Sequence, residues 1–182
     1  MKKTTFPAFL STMIVCFIFW ILITGMLADL IEGEGISLQA LIAGILVSGG
    51  VALFSARFFI HEHAFYLWHP KRFFIGLFYC IIVFPWELIK ANCDVARRAL
   101  SPSLPVNPGI VKVTTELTSD YGLSALANSI TLTPGTITMD VVEEVEKNYL
   151  YIHWIDVGST NEKKAGDMIK GRMEKWLRRI WK

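Results

Sequence analysis

The sequence predicts a membrane α-helical hairpin plus an amphipathic third helix, followed by a small cytoplasmic α+β domain of β-α-β-β-α-like order. Three observations carry this. Charge is unevenly spread: residues 1–89 hold five basic and five acidic side chains, and residues 90–182 hold thirteen and eleven. Mean hydropathy is +0.44, and the apolar residues gather into charge-free runs in the first half. The second half changes to Val/Thr alternation and Ala/Leu periodicity, as a small soluble domain requires. The expected division is a membrane region over 1–100, with helices near 8–28, 37–56 and 73–100, a proline-rich linker at 101–109, and the α+β domain at 110–182.

The first run, Ala8–Ala28, carries no charge and is long enough to cross the roughly 30 Å hydrocarbon core as a helix. Met1-Lys2-Lys3 ahead of it imitates a signal peptide. The run is too long for one, and no clear small-x-small site follows, so an uncleaved anchor is expected. The second run, Ser37–Ala56, contains Gly44, Ser48, Gly49 and Gly50. Small residues at such spacing let another helix approach closely where no hydrophobic effect drives packing.

The third run, Phe73–Ile89, is shorter and ends in Pro85, Trp86 and Glu87. Beyond it Trp86, Ile89, Cys93, Ala96 and Leu100 follow at helical steps, while Glu87, Lys90, Asp94 and Arg97 form a charged stripe. That is an amphipathic helix with supportive ion-pair spacing.

Charge placement orients the chain. Lys2 and Lys3 precede the first run, Asp29, Glu32 and Glu34 fill the first loop, and Arg57, Lys71 and Arg72 flank the second. The N-terminus and the second loop are therefore expected in the cytoplasm. The third run has basic flanks on both sides. It is expected to lie tilted at the cytoplasmic interface, or to bend there at Pro85, against other subunits. Pro102, Pro105 and Pro108 then mark an extended linker.

In the last part, Ile110–Leu117 reads as a strand, and Asp120–Ser129 as a short helix capped by Ser119 or Asp120. Ile130 and Leu132 alternate with Thr131 and Thr133, so a strand is expected there. Pro134-Gly135 is expected to reverse the chain into a second strand over Thr136–Val141. Tyr149–Val157 is aromatic and β-branched, hence a strand. From Thr160 the pattern is helical, with Ile169, Met173, Trp176, Leu177 and Ile180 as its apolar stripe.

Candidate chemistry is sparse. A net charge of +2 is too small to argue for nucleic acid. Cys16, Cys80 and Cys93 form no CxxC, so reduced thiols are expected. His61, Glu62 and His63, with His69 nearby, lack the spacing of HExxH; a juxtamembrane loop with Tyr66 and Trp68 is the better reading. His153 and Asp156 stand three apart, on opposite faces of a regular strand, which favours a structural histidine. The Thr-Pro-Gly-Thr stretch has one glycine and no following lysine, so it is a turn rather than a phosphate cradle. Glu87, an acid near membrane depth, is a candidate for a proton path or for an interfacial pair with Lys90. The basic C-terminal helix fits an anionic lipid surface, but covering the sheet is favoured. No catalytic, cofactor-binding or metal-binding residue is assigned, and no cofactor is expected.

Four stretches carry a resemblance: Pro108–Ile110, Thr115–Leu117, Ala127–Thr136 and Leu150–His153. Together they look like the E-type subunit of the multisubunit Mrp-type Na⁺/H⁺ antiporters, a kind of chain also found in related membrane-bound hydrogenase-like complexes. The likeness is specific over roughly Pro105–Asp156. It marks Asn128, Thr131, Thr133, Pro134, Gly135, Thr136 and His153 as structural motif residues. Upstream it is one of layout, including a glutamate in the amphipathic helix, here Glu87.

The resemblance implies a non-enzymatic, multi-pass subunit of the cell membrane, supporting assembly and ion transport by larger partners. Those partners would be large complex I antiporter-like chains and small membrane subunits, together with membrane lipid. The alternative host is the antiporter-like arm of a hydrogenase-type redox complex. A free-standing membrane-anchored binding domain and a self-sufficient ion conductor are the rival classes.

Overall fold

A computed structural model describes residues 6–33, 35, 37–60, 69–144 and 147–181. The expected juxtamembrane loop with His61, Glu62, His63, Tyr66 and Trp68 lies outside the described residues. The chain forms two compact units, Met1–His69 and Pro70–Lys182. Among the described residues three helices are long and apolar enough to cross a membrane: Phe6–Ile23, Leu38–Ala56 and Pro70–Leu100.

The first unit is a helical hairpin. Helix α1 spans Phe6–Ile23. It ends because Gly25 adopts φ 76°, a left-handed conformation open to glycine. The short helix α2 follows over Met26–Glu32 and stops at Gly33, again left-handed. Helix α3 spans Leu38–Phe59, with the Ser37 side chain accepting the Ala40 N–H as an N-cap. Helices α1 and α3 pack together around small buried residues: Ala8 and Ser11 from α1, and Ser48, Ala52 and Ala56 from α3. The hydroxyls of Thr12 and Thr24 donate to the carbonyls of Ala8 and Trp20, at 2.9 and 2.7 Å. Such internal pairing is what a non-aqueous surrounding demands of polar groups.

The second unit opens with one long helical element. Helix α4 (Pro70–Phe78) passes through a π-helical turn (Tyr79–Val83) into α5 (Phe84–Leu100). Pro85 comes two residues after the end of that wide turn. A proline inside a regular helix clashes with the carbonyl four residues back, and a turn with one extra residue re-spaces those carbonyls. Then come β1 (Gly109–Thr115), α6 (Asp120–Leu132), β2 (Thr136–Glu143), β3 (Asn148–Trp154), α7 (Glu162–Ile169) and α8 (Gly171–Ile180). The sheet is antiparallel in the order β1-β3-β2. Its register pairs Ile110 with His153 and Ile137 with His153. A bulge sits between Thr138 and Asp140.

One sheet face presents Val111, Val113, Leu150 and Ile152 to a core completed by Leu123, Leu126 and Ile130 of α6 and Met173, Leu177 and Ile180 of α8. Tyr79 and Val83 belong to the same core, and Ile75 and Phe84 pack against it.

One sequence-based expectation is overturned. Ile130–Thr133 is not a strand, and Pro134-Gly135 does not join two strands. Helix α6 runs on to Leu132, and the turn joins it to β2. Leu123, Leu126 and Ile130 recur at helical spacing and are all buried. Burying that stripe outweighs a short run of alternation.

Candidate functional site

In the hairpin, Gly44 faces α1. A Cβ placed there would lie 2.6 Å from Trp20 Cδ1 and 2.9 Å from Phe17 Cε2. The Trp20 Nε1–H donates to the Ala40 carbonyl at 3.0 Å, one turn before Gly44. Ser48 is fully buried. Gly44, Ser48, Ala52 and Ala56 thus make a four-residue-step seam inside the chain, and Ala52 and Ala56 extend what the glycines signal. At Gly49 and Gly50 an added Cβ would meet open space.

The Ala127–Thr136 motif forms the exit from α6. The hydroxyls of Thr133 and Thr136 both donate to the Ile130 carbonyl, each at 2.7 Å, beside the Thr133 N–H at 3.2 Å, and so gather the end of α6 on one carbonyl. Gly135 takes φ 90°. Its hypothetical Cβ would sit 2.9 Å from Ile155 Cγ2 and 3.4 Å from Val95 Cγ2. Thr131 Oγ1 accepts the Thr138 N–H at 3.1 Å, which ties α6 to β2. Asn128 is exposed on α6. His153 lies on the sheet face opposite the core, in line with the exposed Ile110 and Ile137. Asp156 pairs with Arg98 at 2.7 Å.

Glu87 lies on α5 facing α8. Lys90 pairs with its Oε2. Its buried Oε1 has no hydrogen bond, and Arg172 Nε stands 3.5 Å away. Glu87 lines a cavity of about 350 Å³ between α5 and the Thr133–Thr136 turn, with Asp94, Arg98 and Asp156.

A second polar group closes the unit under a wider cleft of about 810 Å³. Glu174 Oε1 accepts from Thr115 Oγ1 at 2.5 Å and from the Glu116 N–H at 2.8 Å, and Lys170 pairs with Oε2. Burial pushes the Glu174 carboxyl up. The hydrogen bonds and charge of Lys170, with those from Thr115 and Glu116, outweigh it and hold the group below its ordinary 4.5. Among the described residues no cluster of three or more His, Cys, Asp or Glu could hold a metal.

Residues 13–180 match the family MNHE, the Na⁺/H⁺ ion antiporter subunit. The chain belongs to this family. The E-type antiporter subunit of Alkalihalophilus pseudofirmus is 51% identical over 77 residues, which is 42% of this chain and 48%, about half, of that protein. The E-type antiporter subunit of Bacillus subtilis is 37% identical over 121 residues, 66% of this chain and 72% of that one. Among solved structures, a chain of the membrane-bound sulfane sulfur reductase, an archaeal respiratory membrane complex, is 42% identical. Its TM-score is 0.77, over 96% of this chain and 99% of that chain. The match to the antiporter family takes in the hairpin, the third helix and the α+β unit alike, so the family architecture is a whole-chain property.

Proposed function

We propose that this chain is a non-catalytic membrane subunit of a multisubunit cation/proton antiporter. Its work is to hold together larger, complex I antiporter-like ion-conducting chains and small membrane subunits. The observation that carries this is the extent of the family match, residues 13–180. A likeness confined to one ligand-binding module would not span both units. Within the hairpin, Gly44 and Ser48 are occupied by α1, whereas Gly49 and Gly50 face open space and are the positions that receive a neighbouring subunit's helix. The α+β unit lies on the cytoplasmic side of the cell membrane. Lys71 and Arg72 in the first turn of α4 support this, set against Asp29 and Glu32 of α2. Ion pairing of Glu87 with Lys90 and Arg172 supports a positioning role for it in preference to a proton path.

A second reading concerns the host. The likeness to the archaeal respiratory chain covers nearly the whole of both chains. This favours a redox-driven complex in which the antiporter-like module is one arm. A pull-down decides between the hosts. With a C-terminal tag and gentle solubilisation, large antiporter-like chains at fixed stoichiometry are expected. Redox subunits among them would select the respiratory host. A lone chain, under conditions that keep other membrane complexes intact, would overturn both readings.

A further inference from the structure

The third apolar helix is long enough to span, yet one of its faces is already used. Ile75 packs against the core of the α+β unit, and Tyr79 and Val83 are part of it. The Tyr79 hydroxyl donates to Ser129 Oγ at 2.7 Å. Phe78 and Trp176 stack at 4.9 Å. Further on, Glu87 faces Arg172 and Arg98 reaches Asp156. The contacts run from Ile75 to Arg98, about 34 Å at the helical rise. That is as long as the hydrocarbon core is thick, about 30 Å.

A crossing helix would therefore take its neighbours with it. Helix α8 runs beside it, with Ile180 near Gly76 and Arg172 near Glu87. Arg172, Lys175, Arg178 and Arg179 would then sit at hydrocarbon depth, where charge is costly and needs a partner or a water-filled cavity.

The opposite face tells what lies on its other side. Phe73, Phe74, Leu77, Ile81, Trp86 and Ile89 are exposed, Phe74 by 66% and Ile81 by 59%. Beyond Ile89 polar Asn92, Asp94 and Arg97 enter among the exposed residues, and the exposed large apolar side chains lapse until Leu100 at the helix end. The rim is basic and aromatic: Arg179 lies 4.4 Å over the Trp176 ring, which itself stacks on Phe78, and Lys71 stands exposed at the helix start. Apolar face, aromatic rim and cationic fringe together match the cross-section of a leaflet surface with anionic headgroups.

We infer that α4, the π-helical turn and α5 lie in the plane of the membrane surface, with the Phe73–Ile89 face sunk into one leaflet and the basic rim on anionic lipid. This deepens the proposed function and rests on it only for the choice of the cytoplasmic leaflet. The chain then crosses twice, not three times.

The test uses the full chain, alone and in its complex, in bilayers containing phosphatidylglycerol. Cys16, Cys80 and Cys93 are replaced by serine, and single cysteines are introduced as Lys71→Cys, Phe74→Cys, Ile81→Cys, Ile89→Cys and Arg97→Cys. Fluorophores at 74, 81 and 89 are expected to be quenched by lipid carrying a shallow quencher and not by lipid quenched at the bilayer centre. Positions 71 and 97 are expected to react with an impermeant thiol reagent from the same side.

Labelling of 71 and 97 from opposite sides, or deep quenching at 81, would overturn the inference. So would protection of 74, 81 and 89 from all lipid quenchers in the complex, because a neighbouring chain would then cover the face. If 71 and 97 share the outer side, the in-plane geometry stands and the cytoplasmic assignment fails, so the two failures are distinct.

Discussion

Between α1 and α3 of the hairpin the buried side chains are small: Ala8, Ser11, Ser48, Ala52 and Ala56, with Met26 of α2 the one large buried side chain among the described residues of that unit. In the α+β unit they are large: Leu117, Leu126, Ile130, Leu150, Ile152 and Leu177. The difference follows from the solvent each unit faces. Among lipid tails a leucine gains nothing by leaving the bilayer for a helix interface, so close backbone approach and a few internal hydrogen bonds hold the pair. In water, apolar area removed from solvent is the main driving force. The same chain thus uses two packing rules, and the third helix belongs to both: its core side obeys the second rule, its exposed side the first.

The comparison breaks most sharply in the large core. Leu150→Ala removes a side chain with no exposed area. It is expected to destabilise the α+β unit by about 2–5 kcal/mol, read as a lower midpoint in denaturant by tryptophan fluorescence. Acid should act on the same unit through Glu174. Its folded pKa lies below its ordinary 4.5. The stability it contributes is therefore present above that value and is lost as pH falls through the folded pKa. Glu174→Gln should flatten this acid limb in a pH-dependent unfolding series, and an unchanged limb would refute the assignment.

The hairpin offers the complementary test. Gly44→Val crowds Trp20 and Phe17, for about 1–3 kcal/mol of overpacking. It should loosen the hairpin, seen as faster proteolysis in detergent. Gly49→Leu should leave the isolated chain unchanged and lower only the yield of intact complex. Equal effects of the two on the isolated chain would erase the distinction between an inner and an outer glycine face. The smallest effect expected is from Ser119→Ala, which removes the N-cap that accepts the Gly122 N–H at 3.1 Å. It should cost about 0.5–2 kcal/mol, measured as a lowered thermal midpoint.

The two units also differ in how much of them was legible. The hairpin helices follow from charge-free runs, because excluding charge over a bilayer's thickness leaves a direct trace in composition. The strands Gly109–Thr115 and Asn148–Trp154 follow from β-branched and aromatic alternation. Alternation misleads at Ile130–Thr133, where Thr131 and Thr133 imitate an exposed strand face. Their hydroxyls instead serve β2 and the end of α6, through Thr138 and Ile130. Gly44 was legible as small, but its neighbour Trp20 was not, since twenty-four positions separate them and no local pattern links the two. The share of the third helix in the core was hidden for a related reason. Ile75, Tyr79 and Val83 sit among equally apolar residues, so composition does not tell the core side from the lipid side.

The π-helical turn over Tyr79–Val83 acts as a phase adjuster between two halves of one rod. In an α-helix one residue advances the direction of a side chain by about 100°. Without the extra residue, α5 would leave α4 rotated by about that amount, and Glu87 and Arg98 would swing away from Arg172 and Asp156. Ile75 packs on the core before the turn, Tyr79 and Val83 face it from the turn's two ends, and Glu87 and Arg98 meet their partners beyond it, because the surplus is taken up between. Deleting a single residue there would leave every side chain chemically intact and yet aim the second half of the rod in the wrong direction. For this helix, residue count matters as much as residue identity.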